Sequence, residues 1–582
     1  MVRISKPKLS DKREHIAYFT MEVGISHHIP TYSGGLGVLA GDLLKSYADL
    51  HIPIVGVTLL SEKGYFYQKI DADGNQVEQP VKWNPSDFLT LLPNIVEVNI
   101  EGRSVKVRAW KLVVKGGIGG QDIPIYYLDT NVDGNSDYDK TLTSFLYGGD
   151  RAYRLAQEII LGIGGVRMLE ELGYFINKYH MNEGHAALLI VDLVKRASEV
   201  IKGSQVGNDG WKESIDAVKE KCIFTTHTPV AAGHDRFDLE LFKRITNNQV
   251  PADLLKGAIH DNLVNMTLFA LNHSKYVNGV AKMHGEVTKE MFPGYIINAI
   301  TNGIHSGTWA SPPFKKMFDK YIPGWSVDPF SLRYAMSIPK DELWSAHLEA
   351  KKILMDEINQ KTNVGFQISR FTIGYARRFT AYKRPDLILL EIEKLKKVAE
   401  KVGDIQIVFA GKAHSQDTQG KEIIKKVFQT AKDVNSQNCK VKIVFMEHYD
   451  MRLASILVAG CDVWLNTPQR PYEASGTSGM KAALNGVPHL STLDGWWLEG
   501  HIENLTGWSL GPNPSDPGFK DDYDPSDEAK DLYEKLEKII IPTFYGNQEK
   551  WVDIMKHCIA LNGSFFNTHR MAEQYITNAY LD

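Results

Sequence analysis

The stretch FTIGYARRFTAYKRP, residues 371–385, begins with a mostly apolar run and ends in a cationic loop. An uninterrupted apolar run of this length is typical of a strand that is buried on both faces. Similar runs recur at residues 405–411, 441–447, 461–466 and 489–492, and helix-like stretches separate them. Apolar strands that alternate with helices predict a parallel sheet in an α/β fold.

The first half of the chain repeats this pattern. Strands are predicted at residues 52–60, 123–129, 222–226 and 296–301, and helical patterns cover residues 150–172 and 343–362. Pro312, Pro313, Pro323 and Pro329 cluster in the region between residues 309 and 363. They predict the boundary between two doubly wound, Rossmann-like α/β domains facing across a cleft. We therefore expect domains at 1–310 and 311–582, with helices after residue 527 that either close the second domain or cross back to the first.

Composition narrows the functional class. The chain has 582 residues, a formal net charge of −4 and four cysteines without C-x-x-C spacing. Near-neutrality argues against a nucleic-acid partner, and the cysteine pattern predicts a reducing compartment with no structural zinc. The start, MVRISKPKLSDKREHIAYFT, lacks the apolar core of a signal peptide, and no run of eighteen apolar residues occurs. We expect a cytoplasmic protein without membrane partners.

The segment EASGTSGMKAALNGVP, residues 473–488, carries the strongest functional signal. Its small residues expose backbone N–H groups to an anion, and a helix with Lys481 near its first turn follows. A free cation there would oppose the helix dipole, whereas a lysine linked to an aldehyde cofactor would not. A surface lysine on an amphipathic helix is the alternative, and the anion-binding loop before Lys481 makes it the minority interpretation.

Four cations lie within eight residues at the carboxyl end of the predicted strand 371–377: Arg377, Arg378, Lys383 and Arg384. Arginine forks and lysine point charges at the carboxyl end of a strand suit two neighbouring phosphates. A solvated basic face is the alternative, and it fits Arg384 best. The glycine-rich run YSGGLGVLA, residues 32–40, permits close backbone approach to a ligand at a helix start, although such turns are common.

Polar residues at other predicted strand ends indicate a shared cleft. Any one of them is more often a satisfied core group, but their common placement favours a binding site. These residues are Asn182, Glu183, His185, His227, His284 and Asn302. The tryptophans of DGWW, residues 494–497, fit either sugar stacking or core packing.

Together these segments resemble the α-glucan phosphorylases, which include glycogen, starch and maltodextrin phosphorylases, and most closely their short archaeal and bacterial type. The resemblance covers about residues 16–499 and includes EASGTSGMKAALNG, YSGGLG, NEGH, THT, NGVA, TNGI and RRFTAYKRP in the order of the family. It implies the glycosyltransferase B architecture, pyridoxal 5'-phosphate as cofactor, and α-1,4-glucan and inorganic phosphate as substrates. Family analogy alone suggests a homodimer.

The resemblance assigns roles by motif. Lys481 would form the Schiff base, with Thr477 and Arg377 at the cofactor phosphate and Tyr449 and Trp309 beside the cofactor. Arg378, Lys383 and the backbone of Gly35 would bind the substrate phosphate, and Lys481, Arg378 and Lys383 would form the catalytic set. The glucosyl pocket would contain His227, Asn302, Glu473, Ser475, Gly476, Glu183 and His185, and His284 would lie near the cofactor.

The chain also departs from the long phosphorylases. Its first shared segment begins near residue 16, so we expect neither phosphorylation nor nucleotide control. The cofactor loop reads TSGMK where long forms have Thr-Gly-Asn-Met-Lys. Thr380 replaces a histidine and Gly24 replaces a tyrosine near the cofactor. These changes affect local pocket contacts and leave the lysine and the cationic cluster in place.

The resemblance implies phosphorolysis with retention of configuration, in which the cofactor acts through its phosphate beside inorganic phosphate. A nucleotide-sugar-dependent glucan synthase of the same architecture is the first alternative, and it would have no need of Lys481 in a GTSGMK loop. A non-catalytic glycan-binding protein is the second.

Overall fold

The computed structural model describes residues 14–117, 119–204, 210–230, 233–513 and 524–581. The predicted absence of a signal peptide concerns residues that lie mostly outside these ranges. The strands of the first half are β1 (Glu14–Thr20), β2 (Ile54–Leu59), β3 (Tyr67–Ile70), β4 (Gln76–Gln79), β5 (Thr90–Ile100), β6 (Arg103–Val114), β7 (Ile123–Asp129), β8 (Phe175–Asn182), β9 (Cys222–Thr225), β10 (Arg236–Asp238), β11 (Ile259–His260), β12 (Leu263–Asn265), β13 (Tyr276–Gly279) and β14 (Asn298–Ala299).

The strands of the second half are β15 (Phe371–Ala376), β16 (Ile405–Ala410), β17 (Val441–Met446), β18 (Val463–Asn466), β19 (His489–Thr492) and β20 (Gly507–Leu510). They form one sheet in the order β17-β16-β15-β18-β19-β20, with every pair parallel. All six residues of β15 and of β16 are buried, as their apolar runs predicted.

The first half forms a nine-stranded sheet in the order β14-β13-β9-β8-β1-β2-β7-β6-β5. Its pairs are parallel from β14 to β7, while β5, β6 and β7 pair antiparallel. The sheet is therefore mixed, whereas the sequence predicted parallel pairing alone. The strand predicted at 296–301 shortens to the two residues of β14. The α/β class with two large sheets is confirmed.

Helices cover the sheets on both faces. They are α1 (Gly35–Asp49), α2 (Asp137–Lys140), α3 (Arg151–Ile159), α4 (Gly165–Glu171), α5 (Leu189–Ser204), α6 (Gly210–Lys219), α7 (Leu239–Ile245), α8 (Met266–Asn272), α9 (Lys282–Met291), α10 (Ser306–Trp309), α11 (Pro312–Tyr321), α12 (Lys340–Thr362), α13 (Ile392–Val402), α14 (Thr418–Asn435), α15 (Met451–Gly460), α16 (Ser478–Leu484), α17 (Trp497–Gly500), α18 (Pro525–Lys535), α19 (Ile541–Gly546), α20 (Gln548–His557) and α21 (Thr568–Tyr575). The helical pattern at 150–172 corresponds to α3 and α4, which are joined by a short π-helix at Ile160–Gly164.

The last helix returns to the first half of the chain. In α21, Thr568 Oγ1 lies 2.6 Å from Ser46 Oγ of α1. Beyond it, Tyr580 Oη lies 2.8 Å from Tyr47 Oη and 2.7 Å from His180 Nδ1 of β8. The earlier helix α20 packs against α12 of the second half. The terminal region thus contacts both halves, and the division at residues 310 and 311 stays a prediction.

The hairpin β3–β4 joins the two halves at the carboxyl ends of β16 and β17. Gln68 Nε2 donates to the carbonyl of Gly411 at 2.8 Å, and the ring of Tyr67 stacks on His448 with centroids 3.8 Å apart. Gln76 bonds both the N–H and the carbonyl of Ala413. Among the described residues, no helix has both the length and the apolar character that crossing a membrane requires.

Candidate active site

Lys481 lies on α16, immediately after the small-residue loop. Its side chain is buried, and its Nζ is 3.7 Å from the centroid of the Trp309 ring. Among the described residues, Nζ has no hydrogen-bond or ion-pair partner. Burial lowers the pKa of Lys481 to about 8. About a tenth of this amine is therefore neutral at pH 7, far more than for an ordinary lysine, and the neutral form is the nucleophile toward an aldehyde.

The helix dipole is less important here than the sequence predicted. Helix α16 begins at Ser478 and has only seven residues, so Lys481 lies midway along it. The dipole acts within the first turn, and a short helix has a weak one. Lys481 is the fourth residue of α16 and closes its first turn, as predicted, but burial is the largest cause of its lowered pKa.

Asp42 of α1 is a charged residue of this pocket that the sequence interpretation missed. Its Oδ2 accepts a hydrogen bond from Trp309 Nε1 at 2.6 Å, while its buried Oδ1 has no partner among the described residues. The carboxylate partly offsets the effect of burial on the pKa of Lys481. Lys45 lies on the same helix, and its Nζ donates to Thr308 Oγ1 at 3.0 Å. An acidic residue within the apolar run GVLAGDLL was the available signal.

The cationic cluster converges on one carboxylate. Glu473 forms an ion pair with Arg377, and Lys383 Nζ lies 2.6 Å from Glu473 Oε2. Although burial alone would raise it, the charges of Arg377 and Lys383 hold the pKa of Glu473 at about 2. Arg377 Nε is buried without a partner among the described residues, so this guanidinium has a donor left for a further acceptor.

The other two cations differ from each other. Arg378 is exposed, and its Nη2 lies 3.5 Å from Tyr382 Oη. Arg384 is half-buried, donates to the carbonyls of Thr467 and Pro468 at 2.9 and 3.0 Å, and pairs with Glu528. A solvated basic face does not describe Arg384, which instead holds the loop after β18. Arg378 is the cation left facing solvent.

The loop from Glu473 to Thr477 is fixed by Asp494. Asp494 Oδ2 accepts from the N–H of Glu473 at 2.9 Å, and Oδ1 accepts from the N–H of Gly495 at 2.8 Å. Burial raises the pKa of Asp494 to about 7. Ser475 follows on this loop, and Gly476 has a φ of +75°, a conformation that favours glycine. Thr477 precedes the first residue of α16.

The two tryptophans of DGWW belong to the core. Trp496 and Trp497 are 2% and 1% exposed, and their ring centroids lie 5.4 and 4.7 Å from that of His489. Rings this deeply buried cannot present a face to a sugar. Of the two interpretations of this motif, core packing is the one that the structure bears out.

On the first sheet, Glu183 orders the loop that carries His227. Glu183 has a φ of +73°, and its Oε2 accepts from the N–H of His227 at 2.8 Å and from Thr228 Oγ1 at 2.9 Å. Burial raises the pKa of Glu183. His227 Nε2 lies 2.6 Å from Asn182 Oδ1. The carboxylate of Glu183 is thus engaged with protein groups, and its contact with a glucosyl unit stays a prediction.

Other predicted residues have unused hydrogen-bonding atoms. The buried atoms His185 Nδ1 and Asn302 Oδ1 have no partner among the described residues, and His185 Nε2 lies 3.4 Å from Asp235. His284 Nδ1, by contrast, accepts from the N–H of Val280 at 3.2 Å. Tyr449 is half-buried after β17. Unpaired buried acceptors and donors of this kind are characteristic of ligand pockets.

Glu22, also missed from the sequence, supports the glycine-rich turn. Its Oε2 accepts from the N–H groups of Ser33 and Gly34 at 2.6 and 3.3 Å, and Oε1 accepts from Tyr147 Oη at 2.8 Å. Helix α1 begins at Gly35, directly after this turn. Tyr32 Oη accepts from the N–H of Met451, which brings the turn against the second sheet near Tyr449.

The structure thus brings Lys481 into contact with Trp309, and it joins Arg377 and Lys383 through their ion pairs with Glu473. The family described as carbohydrate phosphorylase matches residues 31–135 and 252–504. A maltodextrin phosphorylase of Thermococcus litoralis is 40% identical, with 97% of this chain and 70% of that protein covered. A glycogen phosphorylase of Aquifex aeolicus is 34% identical, with 98% and 86% covered. The chain belongs to the carbohydrate phosphorylase family.

Proposed function

We propose that this protein is an α-1,4-glucan phosphorylase that uses inorganic phosphate to release α-D-glucose 1-phosphate from the non-reducing ends of glycogen, starch or maltodextrin. The observation that carries the proposal is Lys481, a buried lysine with no ion-pair partner among the described residues. It follows the loop that begins at Glu473, the carboxylate with which Arg377 and Lys383 pair. The names of the relatives from T. litoralis and A. aeolicus support the same activity.

The residues around Lys481 fit pyridoxal 5'-phosphate. The amine has its pKa lowered to about 8, and Arg377 Nε lacks a partner among the described residues. Lys481 would hold the cofactor covalently, Arg377 and Thr477 would bind its phosphate, and Trp309 and Tyr449 would line its ring. When bound, the cofactor would supply a phosphate group able to exchange a proton with a neighbouring phosphate.

Arg378, Lys383 and the backbone of Gly35 would bind the substrate phosphate. Lys383 now pairs with Glu473, so an incoming anion competes with that carboxylate for the same cation. The exchange would free an oxygen of Glu473 to accept a hydrogen bond from a glucosyl hydroxyl. Phosphate and glucan binding would then support each other through one ion pair.

The glucosyl unit would contact both sheets. From the second half, Glu473, Ser475 and Gly476 would bind hydroxyl groups. From the first half, the pocket would contain His227, Asn302, Glu183 and His185, with His284 nearby. Unused atoms on His185 and Asn302 support this assignment, since a polar ligand can satisfy them.

The reaction would retain configuration at the anomeric carbon. The inorganic phosphate would keep a proton, because two neighbouring phosphates repel, and it would donate that proton to the glycosidic oxygen. Arg378 and Lys383 would stabilise the negative charge left on the substrate phosphate, which then captures the glucosyl cation. A pair of carboxylates of the glycosidase kind is not required.

A nucleotide-sugar-dependent glucan synthase of the same architecture is the alternative, and the comparisons do not favour it. The two are separated by one assay. Purified protein is incubated with maltodextrin and either inorganic phosphate or a nucleoside diphosphate. Phosphate-dependent release of glucose 1-phosphate is the expected result, and release of a nucleotide sugar alone would exclude the proposal. Running the assay from maltose to long glucans identifies the preferred chain length.

We infer a cytoplasmic location. All four cysteines are free thiols, which supports this location because cysteines stay reduced in the cytoplasm. A homodimer is proposed on family analogy, and sedimentation equilibrium of the purified protein tests it: a mass near twice that of one chain is expected. No nucleic acid or membrane partner is proposed.

A further inference from the structure

Three potential metal ligands converge at a place that the proposed reaction does not use. Asp49 ends α1, His305 precedes α10, and His569 lies on α21. Asp49 Oδ2 is 2.8 Å from His305 Nε2 and 3.1 Å from His569 Nε2, and all three atoms lie within 4.8 Å of one another. Residues that are 520 positions apart in the chain thus meet at one point.

Two of the three side chains are already oriented by other groups. Asp49 Oδ1 accepts from the N–H of Gly117 at 2.6 Å, which directs Oδ2 toward the histidines. His305 Nδ1 lies 2.7 Å from Thr308 Oγ1, which also accepts from Lys45 Nζ. Metal-bound histidines typically use their second ring nitrogen in such a bond, which fixes the ring and the tautomer.

The charge and exposure of the cluster suit a cation. The cluster offers one carboxylate oxygen and two imidazole nitrogens as ligand atoms. The three side chains are 15%, 13% and 7% exposed, so solvent reaches the cluster.

We propose that Asp49, His305 and His569 bind a divalent transition-metal ion of the zinc class. Two imidazole nitrogens and one carboxylate oxygen form a frequent Zn²⁺ ligand set, with water as the fourth ligand. Metal–ligand bonds of about 2.0–2.2 Å in a tetrahedron place ligand atoms about 3.3–3.6 Å apart. The present distances from Asp49 Oδ2 to the two histidine nitrogens are 2.8 and 3.1 Å, so the side chains would move apart slightly. The sequence had predicted no metal site, because the three ligands lie in no recognisable motif.

Binding requires each histidine to present the lone pair of Nε2. The proton on His305 Nε2, now directed at Asp49, moves to Nδ1 and is donated to Thr308 Oγ1. The N–H of Thr308, which now contacts Nδ1 at 3.1 Å, keeps its bond to the carbonyl of His305 at 3.0 Å. His569 changes tautomer in the same way. No oxidation is involved, and no proton need leave the protein.

The ion would connect three elements around the cofactor pocket. It would tie α21 to the end of α1 and to the start of α10, and α10 ends at Trp309, whose ring contacts Lys481. A site of this kind would stabilise the return of the terminal helix to the first half of the chain. It does not depend on the proposed activity.

The experiment uses the full chain, freed of metal with a chelator and without glucan, phosphate or cofactor. Bound Zn²⁺ is measured by equilibrium dialysis, and unfolding temperature is measured with and without ZnCl₂. His569→Gln removes the imidazole but keeps an amide donor for Asp49. His557→Gln is the matched control, since His557 lies on α20 and its Nδ1 contacts the carbonyl of Asp553 in its own helix.

We expect one tightly bound Zn²⁺ per chain, and a rise in unfolding temperature, for wild type and His557→Gln. Both should be lost in His569→Gln, and Thr308→Val should weaken binding about 10- to 100-fold. Equal zinc binding by wild type and His569→Gln would overturn the proposal, because the ion would then be held elsewhere. Wild type that binds no zinc would overturn it as well.

Discussion

At the scale of single residues, Trp309 connects the two charged groups of the cofactor pocket. Its ring contacts Lys481 Nζ at 3.7 Å, and its Nε1 donates to Asp42 at 2.6 Å. Burial lowers the pKa of Lys481, and the Asp42 carboxylate works in the opposite direction. Asp42 therefore controls how much neutral amine is present at a given pH.

We expect Asp42→Asn to lower the pKa of Lys481 further below about 8, because the charge that favours the ammonium form is removed. The measurement is the rate of pyridoxal phosphate capture by cofactor-free protein, followed by absorbance across pH. The midpoint of this profile should move to lower pH.

Asp129→Asn is the matched control, since Asp129 is also buried and also accepts an indole N–H, from Trp110 at 3.0 Å. It belongs to β7 and should leave the pH profile unchanged. A profile that stays fixed in Asp42→Asn, or that moves equally in both variants, would contradict the role assigned to Asp42.

Asp494 predicts a pH dependence of stability. Burial raises the pKa of Asp494 to about 7 in the folded protein, against about 4 in an unfolded chain. Between these values the folded state binds more protons, so the contribution of Asp494 to stability falls as pH rises from about 4 to about 7. In Asp494→Asn this decline should be absent. Relative to wild type, the free energy of unfolding of Asp494→Asn should therefore rise by about 2–4 kcal/mol between pH 4 and pH 7. A stability difference between Asp494→Asn and wild type that stays constant with pH would disprove this prediction.

The sequence identified charged residues that belong to recognisable motifs, but not Asp42 and Glu22, which lie inside and just after apolar runs. Lys481 and Arg377 follow recognisable loop and strand patterns. Asp42 lies inside an apolar helix, and its partner Trp309 is 267 positions away. The exchangeable pairing of Glu473 with Arg377 and Lys383 also depends on tertiary contacts, because β15 and the loop after β18 are neighbours only in the folded sheet.

At the scale of elements, the hairpin β3–β4 is the contact that can be tested most cleanly. Gln76 Nε2 donates to the carbonyl of Ala413 at 2.9 Å, and Oε1 accepts from the N–H of Ala413 at 3.0 Å. Gln76→Ala leaves both buried backbone groups unpaired, at a cost of about 1–3 kcal/mol each. We expect a lower unfolding temperature and faster proteolysis within the hairpin.

Gln79→Ala is the control on the same strand, because Gln79 is exposed. It should behave as wild type. Equal stability of the Gln76→Ala and Gln79→Ala variants would show that the hairpin does not hold the two halves together.

Most strands of the second sheet were predictable because their apolar runs are buried on both faces. The pair β5–β6 was not, because only part of each strand is buried and charged residues interrupt both. The hairpin β3–β4 was not predicted either, because its two short strands are largely polar. Which half receives the terminal helices could not be read from the sequence, because their apolar faces fit either sheet until tertiary contacts such as Tyr580 to Tyr47 are known.

At the scale of the whole molecule, two sheets bring their strand ends toward a common region. The hairpin, the Tyr32–Met451 contact and the returning helix α21 fix the halves relative to each other. The central claim is that this region holds a pyridoxal phosphate on Lys481 next to a second phosphate site.

The most direct test measures the absorbance of the purified protein above the protein band, together with phosphate-dependent release of glucose 1-phosphate from maltodextrin. Wild type and the control Lys315→Ala, which removes a lysine from α11, should show a cofactor band and release product. Lys481→Ala should lose the band and the activity together. A colourless wild type that cannot be reconstituted with pyridoxal phosphate, or a Lys481→Ala protein that keeps both signals, would contradict the account.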